Sequence, residues 1–119
     1  MDFSVRVDGS ALVVTVVGRL IADQSARLGR ALEEALAEAP DDVQSLLLNM
    51  RDVPYIDSQG LGSVIRGQQA AAAKGGRVAL AEPAPHISRL FTVTKLTNVV
   101  SLHDDEASAL AALASQETL

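Results

Sequence analysis

Cysteine and tryptophan are absent from the chain, and aromatic residues make up only 3% of it. Without cysteine there are no disulfides and no thiol chemistry. With so few rings, a ligand pocket lined by aromatics is a poor fit. Basic residues are outnumbered, 10 against 15 acidic, and are scattered rather than gathered into the stripe that a nucleic-acid binder shows. Only two histidines are present, His86 and His103, and both read as surface or loop residues. The carboxylates do not cluster, so no transition-metal site is expected. Apolar runs such as residues 12–17 stop well short of the ~20 residues of a spanning helix. The start, Met1-Asp2-Phe3, carries no basic stretch of a signal peptide. The expectation is a cytoplasmic protein that meets neither membrane nor nucleic acid.

What is plentiful is short aliphatic side chain. The hydrophobic fraction is 48%, mostly Ala, Val and Leu. A chain of 119 residues suits one domain over 1–119 and buries roughly two-thirds of its unfolded surface, so it needs no metal staple.

Phe3, Val5 and Val7 alternate with polar residues, the period of a half-buried strand. Asp8-Gly9-Ser10 is turn chemistry, and the β-branched run 12–17 reads as a buried strand, so the two predict a hairpin. Asp23 is placed to cap a helix whose face carries Leu28, Leu32 and Leu36 and which Pro40 ends. A strand follows over 43–50, then a loop over 51–57. A second helix starts near Ser58, with Leu61, Val64, Ile65 and Ala72 as its apolar stripe and Gly75-Gly76 as its stop. Residues 78–81 predict a short buried strand. Ile87, Leu90 and Phe91 predict a third helix, and Val99-Val100 a last strand. Asp104 is placed to cap a final helix with Ala107, Leu110, Ala111 and Ala114 on one face. The order β-β-α-β-α-β-α-β-α predicts a single α/β domain with a mixed, largely parallel sheet.

Catalytic patterns fail on inspection. Ile56-Asp57-Ser58-Gln59-Gly60 lacks the first glycine of a nucleophile elbow. Gly60-Leu61-Gly62 begins a dinucleotide fingerprint whose third glycine would fall on Ile65, and no phosphate-binding lysine follows. What remains is a loop that brings an acid and a hydroxyl, Asp57 and Ser58, to a helix N-terminus, where free N–H groups favour an oxyanion. On the residues alone, Ser58 reads either as the helix N-cap or as a functional hydroxyl.

Leu47-Leu48-Asn49-Met50 followed by Asp57-Ser58-Gln59-Gly60-Leu61-Gly62 resembles the signature of STAS domains, named for sulfate transporters and anti-sigma factor antagonists. Gly18-Arg19-Leu20, Gly75-Gly76, Arg89-Leu90-Phe91, Leu96, and the late Glu106-Ala107 with Ala109-Leu110 fit the same pattern in order. The resemblance implies a regulator without catalysis or cofactor. Ser58 matches the phosphoacceptor, and Asp57 the acid beside it. Gln59, Gly60, Leu61 and Gly62 match the helix start that a partner approaches, with both glycines expected on an exposed first turn. The unphosphorylated protein would bind an anti-sigma factor and free a sigma factor. The anti-sigma factor, often itself a serine kinase, would phosphorylate Ser58 and release it, and a metal-dependent serine phosphatase would reset the switch.

Two positions depart from the family pattern. Ile21 stands where an acid often follows Leu20, leaving Asp23 as a substitute contact. Lys95 stands where glycine is usual, and a left-handed backbone there costs on the order of 1 kcal/mol. Two other readings stand beside the antagonist. One is a STAS scaffold, such as a stressosome subunit or a lipid-transport partner, which partner capture would distinguish. The other is a nucleotide-binding protein, which a binding assay with labelled ATP or GTP would distinguish.

Overall fold

The N-terminal hairpin forms where the residue pattern places it. The computed structural model describes residues 1–115. β1 (Asp2–Asp8) and β2 (Ala11–Val17) run antiparallel, with Asp8 opposite Ala11 across Gly9-Ser10. Gly9 has a φ of 61°, the sign of backbone twist that a two-residue hairpin turn requires. There follow α1 (Ala22–Glu38), β3 (Ser45–Asp52), α2 (Ser58–Ala73), β4 (Val78–Ala81), α3 (Pro85–Val93), a 3₁₀ turn (Leu96–Asn98), β5 (Val100–His103) and α4 (Glu106–Ser115). The predicted order holds. The sheet runs β1-β2-β3-β4-β5 in space, and all pairs after the hairpin are parallel.

Alternation along the central strands sorts the core into two layers. Leu46, Leu48, Val78 and Leu80 face α1, α2 and α3, where Leu28, Leu32, Val64, Ile87 and Phe91 meet them. Leu47, Ala79 and Ala81 face the other way, onto Ala109 and Leu113 of α4. Burial on both faces explains why these strands read as unbroken apolar runs. The alanines at 79, 81 and 109 let α4 lie close to the sheet. No helix among the described residues is long and apolar enough to cross a membrane.

Several local expectations shift. β3 starts two residues late, because Val43 is held in a turn by its N–H to Pro40 O, 2.9 Å. Arg51 and Asp52 extend the strand instead of opening the loop, since Gly18 N bonds Asp52 O at 2.9 Å. Asp23 does not cap α1. It lies exposed in the first turn, and Ile21 holds the cap position without a side-chain bond. Asp105, not Asp104, caps α4 by accepting from Ser108 N at 2.7 Å. Rotated accordingly, α4 buries Ala109 and Leu113 and leaves Ala107, Ala111 and Ala114 exposed, with Leu110 packing at the margin. The buried line of α2 runs through Gly60, Ser63, Val64, Gly67 and Ala71, while Ala72 is exposed and Leu61 and Ile65 are half-buried. Small residues win because α1 crosses close by: a Cβ on Gly67 would sit 3.0 Å from Leu32 and Leu46. β1 is less covered than its alternation predicts, with Val5 and Val7 both exposed.

The helix ends obey their signals. Gly75 N bonds Ala72 O and Gly76 N bonds Ala71 O, the paired closure of a glycine-terminated helix. Lys95 keeps the left-handed turn with φ 62°, so the glycine conformation survives without the glycine.

Candidate functional site

The carboxyl end of the sheet gathers the N-termini of α1 and α2. The link is a single extra rung. Leu20, just past β2, pairs in parallel with Ile56, just past β3. Leu20 N donates to Tyr55 O at 2.9 Å, and Asp57 N donates to Leu20 O at 3.3 Å. Both rung side chains are buried, so this stitch is part of the core.

Asp57 follows the rung and occupies the N-cap of α2 in extended backbone. One carboxylate oxygen accepts from Gly60 N at 2.8 Å, the cap bond of its own helix. The other accepts from Ala22 N at 3.1 Å, the first residue of α1. One side chain therefore closes the starts of two helices. The N–H of Gly60 above all, with that of Ala22, holds the Asp57 carboxyl below its ordinary value. Ala22 itself has a φ of 50°, left-handed backbone in a residue with a side chain.

Ser58 is the first residue of α2 and is exposed. Of the two readings open from the residues, the N-cap is removed: Asp57 caps, and among the described residues the Ser58 hydroxyl makes no hydrogen bond. Gln59 is exposed beside it, and Leu61 is half-buried against the core. The two glycines separate. Gly60 is buried, not on an open turn, because a Cβ there would lie 2.4 Å from Ile56 Cγ1 and 2.4 Å from Leu20 O. It is a packing glycine that lets α2 start against the rung. Among the described residues, Gly62 has no atom within 4 Å of its would-be Cβ, leaving room for another surface.

Residue patterning missed a cleft between α1 and α2, next to this helix start. About 270 Å³ in volume, it is lined by Ser25, Ala26, Gln59, Gly62, Ser63 and Arg66. The Ser25 hydroxyl is buried there without a partner among the described residues, whereas Ser63 donates to Gly60 O at 2.6 Å. Arg66 closes the far side through its ion pair with Glu33, 2.7 Å. The double duty of Asp57 and the role of Ala22 were equally hidden, since both depend on the rung. Behind the loop, His86 Nε2 donates to Pro54 O at 2.8 Å, fastening α3 to the segment that carries Ser58. Among the described residues, no group of three or more His, Cys, Asp or Glu side chains could hold a metal ion.

The profile of the STAS domain family matches residues 2–109. The anti-sigma F factor antagonist of Paenibacillus polymyxa is 26% identical over 102 residues, 86% of each chain. A STAS-domain protein of Planctomyces limnophilus superposes with a TM-score of 0.80 at 17% identity, covering 96% of this chain and 99% of that one. The anti-sigma factor antagonist SpoIIAA superposes in its unphosphorylated form with a TM-score of 0.72 at 19% identity, over 93% and 96% of the two chains. Its phosphorylated form, from Bacillus, gives 0.71 at 20% identity, over 93% and 98%.

Proposed function

The chain belongs to the STAS domain family, and from that premise we propose that it is an anti-sigma factor antagonist silenced by phosphorylation of Ser58. The observation that carries this reading is the division of labour at the start of α2. Asp57 supplies the cap, which leaves the Ser58 hydroxyl exposed and uncommitted one residue later.

A phosphate on that oxygen adds about −1.5 to −2 charges near pH 7. At a helix N-terminus the macrodipole tolerates the charge, so the fold survives. Within an interface the same charge must be desolvated and given space, and beside an acidic group the penalty reaches several kcal/mol. Each ~1.4 kcal/mol lowers affinity tenfold. The contact surface in this reading comprises Ser58 and Gln59, the open approach at Gly62, the rim of Leu61, and Asp23 on the first turn of α1. Asp57 acts by holding both helix starts. Gly60 acts through packing alone.

The partners that follow are an anti-sigma factor with serine kinase activity and a serine phosphatase that resets Ser58. The test is peptide mapping after incubation with ATP and the anti-sigma factor of the same genome that the protein captures. One phosphate on the peptide holding Ser58, absent from Ser58→Ala, is the expected result. Capture without modification at Ser58 would overturn the switch and leave a constitutive adaptor.

A further inference from the structure

Among the described residues, β1 is an edge strand with one side unpaired. Every residue from Ser4 to Asp8 is exposed, and the side chains divide by face. Phe3, Val5 and Val7 lie on one face, while Asp2, Arg6 and Asp8 lie on the other. Asp8 and Ala11 close a two-residue turn, so the backbone groups of Ser4, Arg6 and Asp8 bond β2. Those of Phe3, Val5 and Val7 therefore point outward, and an unpaired row of that kind is a template for another strand.

We propose that β1 joins antiparallel to β1 of a second copy of this chain, about a two-fold axis at Ser4. Charge complementarity selects both the occupant and the register. Outward backbone groups must meet one another, so Phe3, Val5 and Val7 can only oppose members of the same set or Met1. With Ser4 on the axis, Phe3 opposes Val5, Met1 opposes Val7, and Asp2 opposes Arg6 on both sides of the axis. Moving the axis to Val5 sets Asp2 against Asp8 twice. Moving it to Arg6 sets the two arginines against each other. Moving it to Phe3 shortens the ladder and pairs no charges. Opposite charges across a ladder stabilise it and like charges destabilise it, so one register is favoured. Arg6 is already held on that face by the Glu106 carboxylate, which also accepts from Asn49. Its guanidinium thus stands where the copy's Asp2 arrives. The antiparallel arrangement is also the one that closes as a two-fold dimer.

The test is sedimentation of the full chain over micromolar to millimolar concentration, with charge reversals at the two positions. Asp2→Arg alone sets arginine against arginine, and Arg6→Asp alone sets aspartate against aspartate. Each is expected to weaken dimerisation about tenfold or more. An equimolar mixture of the two variants restores opposite charges at both contacts, so it should dimerise like the unaltered protein. So should the double reversal. A monomeric unaltered protein at millimolar concentration would overturn the proposal. So would a mixture no better than its separate components. In case a reversal disturbs folding through Glu106, amide exchange of the unaltered protein gives a second reading. Protection at Phe3, Val5 and Val7 should rise with concentration, and its failure to do so would equally overturn the pairing.

Discussion

Ser58 stands one residue past the N-cap of α2, and that offset decides what its side chain does for stability. The residue types allow the serine to be the helix cap, and the loss of a cap costs about 0.5–2 kcal/mol. In the fold Asp57 is the cap, and Ser58 is an exposed side chain beyond it. Ser58→Ala should therefore change stability by no more than about 0.5 kcal/mol, as surface substitutions usually do. Urea unfolding checks this, and a larger loss would return the cap role to Ser58. The glycines make a sharper pair. Gly60→Ala drives a methyl into Ile56 and the Leu20 carbonyl and should cost about 1–3 kcal/mol, the usual range for overpacking. Gly62→Ala meets nothing and should be neutral or stabilising by up to about 1 kcal/mol, since alanine favours the helix. Equal losses at the two positions would contradict the separation of packing glycine from open glycine. At Lys95, replacement by glycine removes a left-handed side-chain penalty and should raise stability by about 1 kcal/mol, read as a higher Tm.

Among the elements, the starts of α1 and α2 stand or fall together because one carboxylate serves both. The lowered pKa of Asp57 fixes the sign of its pH dependence. A carboxyl with a depressed value in the folded state stabilises fully above its unfolded value, ~3.9, and loses that contribution as pH falls through the folded value. Asp57→Ala should lower the Tm at neutral pH by about 5 °C, and the gap from the unaltered protein should close on acidification. A gap that persists at low pH would mean that the carboxylate charge is not what holds the helices. This joint duty also marks the limit of what the chain discloses residue by residue. Strand and helix order was legible because period-2 and period-3.6 patterns are local, and Gly75-Gly76 or Pro40 punctuate them in place. The Leu20–Ile56 rung joins residues 36 apart, so neither residue announces it. The same holds for the buried line of α2, where closeness to α1 selects small residues and reverses the ranking that hydrophobicity suggests. Asp104 and Asp105 are adjacent and chemically equivalent, and only the docking of α4 on Ala79 and Ala81 decides which one caps.

As a whole, the molecule separates its packed core from the end of the sheet that carries Ser58. Three helices cover one face of the sheet and α4 covers the other. The helix starts that carry Ser58, Gln59, Gly62 and Asp23 meet at the carboxyl end of β2 and β3. A charge placed there lies outside the packed layers, so it can alter association while leaving the fold intact. Calorimetric titration of the purified anti-sigma factor, using unmodified and Ser58-phosphorylated protein of matched stability, tests the proposed role of that end. Tight binding by the unmodified form is expected, with binding weakened about 100-fold or more by the phosphate at nearly unchanged Tm. Equal affinities for the two forms would contradict that role.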